Sequence, residues 1–459
     1  MKKLLLFFCL LPLISLSQQN FTEASGGAGF SFLIDSIGNM WATGNNNNGQ
    51  LGVGDTQDRL RFTQVEGNNW ALVKAGLTGA YALKKDGTLW NMGGTSTFPE
   101  VHTPTKIGAD TDWKSIALGN NFLILLKQDG TLWALGNNNY GQLGYPGGST
   151  VSPKQIGNDL WTKIAAGENH AMAINKDGSL WTWGYGKFGA LGNNSESNAF
   201  QPMLIDSIDY WVEISASTGF SYAITAQGEL YAWGKNNKGQ LGVGNRDNQY
   251  IPTRVNLPEP VKKVAAGGAH VLAIGNSGKL YGWGDNQYGQ LGKFTAGEHL
   301  SPLQIGQESS FNAVFGGFGY APGSGSFATG NHSIIIKNQG DIACLSGFNA
   351  DGELGTGNKS NQHSFQCISS LATGINEYEA NLVNIFPNPA TNTLKIALNN
   401  SLEVSEIRIL DQLGREISLL DISNVNKAAI DIQHLKNGVY SLHLRLANGD
   451  SINKIFIKE

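Results

Sequence analysis

Gly228-Glu229-Leu230-Tyr231-Ala232-Trp233-Gly234, then Lys235-Asn236-Asn237-Lys238, then Gly239-Gln240-Leu241-Gly242, is the stretch that decides the fold. The same phrase, Gly-x-Leu-Tyr/Trp-x-Trp-Gly leading to Gly-Gln-Leu-Gly, recurs from Gly278 to Gly292, from Gly130 to Gly144 with Leu135 for the second Trp, and from Gly178 to Gly192 with Ala190 for Gln. An eroded copy stands at Gly87 to Gly94, and outer copies lie at Gly38 to Gly52 and Gly340 to Gly355, which makes seven. Their turn glycines, Gly44, Gly93, Gly136, Gly184, Gly234, Gly284 and Gly347, are 43 to 63 residues apart. A period in this range means that each unit is one supersecondary element unable to bury its apolar face alone. The repeated residues are therefore scaffold, and function is to be sought on what the array displays.

The unit around Trp181 shows the internal plan. Trp161 to Gly167 is a short β-like run, followed by His170-Ala171-Met172-Ala173-Ile174, Lys176-Asp177-Gly178 and Ser179-Leu180-Trp181-Thr182-Trp183-Gly184. Asp-Gly between apolar runs signals a tight hairpin, because glycine tolerates the positive φ that the turn requires. After Gly-Gln-Leu-Gly, a polar loop leads to a proline-bearing stretch such as Pro153-Lys154-Gln155-Ile156, suited to an outer edge strand. Four short strands per unit make a propeller blade, and seven blades closed into a ring leave no long exposed sheet edge. The eleven tryptophans occupy two register positions. Trp70, Trp113, Trp161 and Trp211 open first strands, while Trp41, Trp90, Trp133, Trp181, Trp183, Trp233 and Trp283 lie in third strands. Recurrence in register assigns them to packing between blades rather than to a sugar-stacking platform.

The alternation of Ala-Ala-Gly-x-x-His, Asp-Gly-x-Leu-Trp-x-Trp-Gly and Asn-x-x-Gly-Gln-Leu-Gly resembles the regulator of chromosome condensation repeat family over about residues 20–372. The resemblance implies an all-β fold, a seven-bladed β-propeller. Members of that family include a guanine-nucleotide exchange factor for the small GTPase Ran and a secreted bacterial protein that inhibits β-lactamase by binding it. Fold of this kind does not carry function with it.

Both ends of the chain point to export. Met1-Lys2-Lys3, an apolar run from Leu4 to Leu16 and small residues at Ser15 and Ser17 read as a signal peptide, residues 1–17, with cleavage between Ser17 and Gln18. The run is too short to span a bilayer, no later segment is apolar enough to do so, and Cys9 sits within the apolar core rather than after a cleavage site. The propeller occupies residues 18–373 and residues 374–380 form a linker. Beyond it, period-2 runs such as Leu394 to Leu398, Ile407 to Leu410 and Tyr440 to Leu444 indicate a small β-sandwich over residues 381–459. Phe386-Pro387-Asn388-Pro389, Asp411-Gln412-Leu413-Gly414-Arg415, Leu435 to Tyr440 and the ending Ile455-Phe456-Ile457-Lys458 stand in order. Together they resemble the type A C-terminal sorting domain of the type IX secretion system. That resemblance implies a member of the Bacteroidota, engagement of the type IX machinery by residues 381–459, and surface attachment or release. An adhesive or carbohydrate-binding sandwich that stays on the protein is the alternative.

The net charge of −4, with 15% charged residues, offers no basic surface to attract a polyanion, and nucleic acid is not an expected partner. Cys344 and Cys367 survive maturation and flank the last unit, where they could form a disulfide closing the ring or remain two buried thiols. His170, His270 and His332 share one register position that elsewhere holds Phe30, Gly79, Phe122 or Phe220, which points to packed rings with a polar handle. Zinc requires three or four converging ligands, and these histidines have no such company. The Asn45 to Asn48 and Asn137 to Asn139 loops offer amides where calcium prefers carboxylates; turn chemistry explains them better, although Asp55, Asp58 and Asp247 follow two such loops. Gly323-Ser324-Gly325 lacks the Gly-Lys-Ser/Thr ending of a phosphate loop. No cofactor and no catalytic constellation is expected.

One unit departs from the plan. Val314 to His332 spans 18 residues where Val264 to His270 spans six, and the excess carries Phe318 and Tyr320 on a Gly/Pro-rich loop. Aromatics on a loop over a rigid ring suit recognition, so these two are the candidate binding residues. The expectation is a secreted or surface-attached, non-enzymatic binding protein whose propeller face engages another protein or a surface glycan. A polysaccharide hydrolase or lyase with its site at the propeller mouth is the alternative, and nucleotide exchange stands last.

Overall fold

The computed structural model describes residues 20–94, 99–205, 210–293, 296–317, 330–368, 371, 383–398, 404–411, 416–420, 429–446 and 451–459. The signal peptide, the linker at residues 374–380, and Phe318 and Tyr320 all lie outside the described residues, as does Gln412 to Arg415. The chain divides into two compact units, Met1–Ser370 and Leu371–Glu459.

In the first unit, seven four-stranded antiparallel sheets follow one another, each built from a continuous piece of chain with its strands in sequence order. The first blade is Phe21–Gly26, Phe30–Asp35, Met40–Gly44 and Arg59–Gln64; the others span 70–107, 113–155, 161–204, 211–255, 261–305 and 311–368. Alternation does not mark the second strands: Phe30–Asp35 and Phe220–Thr225 are buried throughout, because both their faces meet a neighbouring blade. Fourth strands such as Gln249–Val255 are half-exposed and form the rim. The core lies between blades. Phe220, Tyr222 and Ala232 of the fifth pack with Val264, Val271 and Trp283 of the sixth.

The repeated glycines are required by this close stacking. Gly234 has a φ of 101°, and a Cβ there would lie 2.7 Å from the Phe220 Cα. Gly242 has a φ of 70°, and a Cβ there would lie 2.7 Å from the Trp283 Nε1 of the next blade. At such positions any side chain is both strained and obstructed.

The ring closes without a shared strand. Gly26 and Gly317 form a parallel bridge, the Gly357 amide donates to the Leu60 carbonyl at 2.8 Å, and the Thr43 hydroxyl donates to the Gly352 carbonyl at 2.9 Å. Cys344 and Cys367 face each other in register on the third and fourth strands of the last blade and are joined by a disulfide. The ring-closing role read from the sequence is thus corrected. The bridge staples the rim strand of one blade, since both cysteines belong to the same continuous sheet.

The second unit has a three-stranded sheet, ordered Val383–Phe386, Thr393–Leu398, Ala429–Asp431, and a four-stranded one, ordered Glu416–Leu420, Val404–Leu410, Gly438–Leu446, Ser451–Lys458. Leu394, Ile396, Ile407, Ile409, Leu442 and Phe456 fill its core. The Pro387 and Pro389 peptide bonds are cis, and the Asn388 side chain accepts from the Ile457 amide at 2.9 Å, which ties the proline motif to the terminal strand.

Candidate functional site

Each Gly-Gln-Leu-Gly loop is held by two amide side chains. Asn236 donates to the Asn245 and Asp247 carbonyls and accepts from the Leu241 amide at 2.9 Å; Asn46, Asn138, Asn286 and Asn349 accept from the equivalent leucine amides. Gln240 accepts from the Lys238 amide at 2.7 Å, and Gln50, Gln142 and Gln290 repeat the bond. Asp58 and Asp55 accept from Asn46, so those carboxylates serve the loop. The ordered loop then receives the next blade: Trp183, Trp233 and Trp283 donate their indole N–H to the carbonyls of Gln142, Ala190 and Gln240 at 3.0, 3.0 and 3.2 Å.

In the last blade Glu353 stands where four other copies carry Gln50, Gln142, Gln240 and Gln290 and the fourth blade carries Ala190. One carboxyl oxygen accepts from the Asp351 amide at 3.0 Å, as the glutamines do, while Oε1 is buried with no hydrogen-bond partner. Burial pushes this carboxyl up to about 8, against the lowering effect of nearby backbone amides. Glu353 lies at the seam with the first blade, its Cα 3.1 Å from where a Cβ on Gly44 would be.

The three in-register histidines are seam residues too. His170, His270 and His332 contact Ser221, Ser333 and Ser31 of the following blade at 2.8, 2.8 and 2.9 Å through Nε2. Ser221 donates onward to the Ala190 carbonyl at 3.0 Å, so His170 is the donor to Ser221 and its Nδ1 is unprotonated. Burial pushes His170 and His332 down to about 4 and His270 to about 3. They are neutral packing groups. Where phenylalanine or glycine replaces histidine, the next blade carries Ala80, Leu123, Ala171 or Val271 in the serine position.

One loop position escapes the scaffold. The residue before the second loop glycine is Asn48, Tyr140, Phe188, Lys238, Tyr288 and Asp351 in successive full copies. Tyr140 and Phe188 are 38% and 40% exposed. Tyr140 pairs with Tyr185 across one seam at a ring distance of 4.6 Å, and Tyr288 with Phe348 across another at 5.1 Å. Phe188 adopts a φ of 62°, unusual for a bulky residue, and Lys235 of the next blade lies 5.5 Å from its ring.

Gly317 and Gly330, the described residues that flank the long insertion of the last blade, stand at this same end, since first-to-second and third-to-fourth connections share one end of an up-and-down blade. The Gly317 amide donates to the His332 carbonyl at 2.9 Å, and Gly330 accepts from the Gly268 amide. Removing residues 318–329 would leave Gly317 three residues before His332, the spacing of Gly267 and His270. The insertion is thus a unit added to an otherwise ordinary turn.

First strands line a central channel of about 760 Å³. Its carboxylates are Glu23, paired with Lys74 at 3.1 Å, and Glu213, 3.2 Å from both Lys163 and Lys263. Burial raises Glu23 while Lys74 opposes it. Among the described residues no group of three or more His, Cys, Asp or Glu side chains is arranged to hold a metal, and no helix is long and apolar enough to cross a membrane. Sequence reading missed both the exposed loop position and the channel. Superposing the seven repeats within this one chain exposes them, as columns that vary in chemistry between constant neighbours.

Residues 94–385, more than half of the chain, match the RCC1-like domain family, and residues 384–458 match the secretion system C-terminal sorting domain. The first blade, which precedes the matched region, shows the same four-stranded plan. Among solved structures, human WBSCR16 aligns with a TM-score of 0.64 at 17% identity, over 74% of this chain and 96% of that one. Yeast RCC1 (Prp20), in a structure bound to Kap60, aligns with a TM-score of 0.59 at 22% identity, over 65% and 78% of the two chains. Prp20p from Saccharomyces cerevisiae, in a second structure, scores 0.59 at 22% identity, over 65% and 80%. These likenesses speak to the fold alone. No curated protein matches the chain. The chain belongs to the RCC1-like domain family and carries the C-terminal domain that marks cargo of the type IX system for attachment to the cell surface or release.

Proposed function

We propose that this protein is a non-enzymatic recognition module whose Gly-Gln-Leu-Gly face binds another protein or a surface glycan outside the cell. In this reading residues 18–373 form the working propeller, residues 374–380 the linker and residues 381–459 the export address. The observation that carries it is the distribution of the aromatic residues that the scaffold does not use. Tyr140, Phe188 and Tyr288 occupy a variable loop position, and Gly317 and Gly330, which flank the insertion bearing Phe318 and Tyr320, stand at the same end of their blade. Aromatic side chains on rigid loops give large contact area at small entropic cost. The channel carboxylates favour no hydrolytic reading, because both are held in ion pairs with lysines.

The test is capture from surface and culture-medium extracts by the full-length protein and by a variant lacking residues 318–329. The deletion restores the turn length of the sixth blade, so the thermal midpoint should stay within a few degrees while capture falls. Equal capture by both proteins, with Phe188→Ser and Tyr140→Ser also without effect, would remove this face from consideration.

A further inference from the structure

The chain is net acidic, yet its central channel is not. Six lysines, Lys74, Lys84, Lys85, Lys114, Lys163 and Lys263, line the channel and a side cleft of about 570 Å³ that shares Leu72, Lys114 and Ser115 with it. Among the described residues two carboxylates, Glu23 and Glu213, stand against these six, and neither Asp nor Arg lines either cavity, leaving a formal +4. This corrects the expectation drawn from net charge, which averages over a surface, whereas the propeller gathers lysines from the second, third, fourth and sixth blades around one axis. We infer that the channel and its side cleft form a binding site for a multivalent small anion bearing carboxylate, sulfate or phosphate groups.

Three features support it. Each of the two cavities has by itself the volume of a ligand site. Lys163 and Lys263 share the single carboxylate of Glu213, so one positive charge there lacks a counter-charge. Lys114 is exposed and makes no ion pair among the described residues. Walls of low polarisability, provided by Ala117, Ala165 and Ala265, concentrate the field of these ammonium groups along the axis. Lysine supplies point charges rather than a planar fork, so the site selects for charge and size more than for the geometry of one oxyanion. Lys84 is the most committed of the six, lying 4.7 and 4.2 Å from the ring centres of Trp70 and Trp90.

The experiment is calorimetric titration of the full-length protein with tripolyphosphate, citrate, tetragalacturonate and neutral xylotetraose. The anions should bind and xylotetraose should not. Lys114→Gln and Lys263→Gln should each raise Kd about threefold or more, and about 0.5 M salt should abolish binding. Lys176→Gln, at an outer turn, should change nothing. Binding by tetragalacturonate alone would identify the source as an acidic glycan, and binding by tripolyphosphate as well would identify charge as the determinant; both support the site. Absence of anion binding at millimolar concentration, or equal affinities in the wild type and both channel variants, would overturn it. The variant lacking residues 318–329 should retain anion binding, so failure here and failure of the recognition face are separable.

Discussion

Replacing Glu353 with glutamine should change the pH dependence of stability rather than only its level. In the folded chain this carboxyl is buried at the seam between the last and first blades and stays protonated up to about pH 8, whereas its ordinary value is 4.5. Between those pH values the folded protein holds a proton that the unfolded chain has lost. Stability therefore falls as pH rises through this window and levels off above it. Each unit of pH corresponds to about 1.4 kcal/mol, so raising pH from 5 to 8 costs the wild type about 4 kcal/mol relative to the Gln variant. Urea unfolding followed by tryptophan fluorescence measures this cleanly, because all eleven tryptophans lie in the propeller. The buried histidines titrate in both proteins and cancel in the difference. A constant offset is expected in addition: Gln50 and Gln142 donate to Asn45 and Asn137 five residues earlier, but Phe348 holds that place before Glu353. Parallel stability curves for the two proteins from pH 5 to 9 would refute the reasoning.

Two further outcomes are expected. His332→Phe and Ser31→Ala should each destabilise the propeller, while the double variant recovers about 1–2 kcal/mol of the summed loss in a double-mutant cycle read by urea unfolding, because Phe122 beside Ala171 already builds one seam that way. Replacing Cys344 and Cys367 with serine together should lower stability by about 3 kcal/mol for a sequence separation of 23 residues, with a reducing agent shifting the wild type, and not the variant, by the same amount.

Much of the fold could be read because the repeats report on one another. Trp-Gly and Gly-Gln-Leu-Gly recur since each blade must offer the next the same indole acceptor and the same absence of a Cβ, as Gly234 and Gly242 show. The exchange of histidine for phenylalanine identified a packed position, and the serine partner one blade later is also written in the chain. The loop position of Tyr140, Phe188 and Tyr288 was less visible, because a single column of unlike residues looks like ordinary loop variation until its exposure is known.

The sequence by itself determined the blade count, the packed tryptophan and histidine positions and the export address, all of which rest on local patterns or on identical neighbour relations repeated along the chain. Only the tertiary structure decided three other matters. It set Cys344 against Cys367 within one blade, it buried Glu353 at the closing seam, and it brought Lys74, Lys114, Lys163 and Lys263 to a common axis. The first depends on how two strands pair within a blade, the other two on which residues a closed ring brings together, and distance around a ring is not recorded in spacing along a chain.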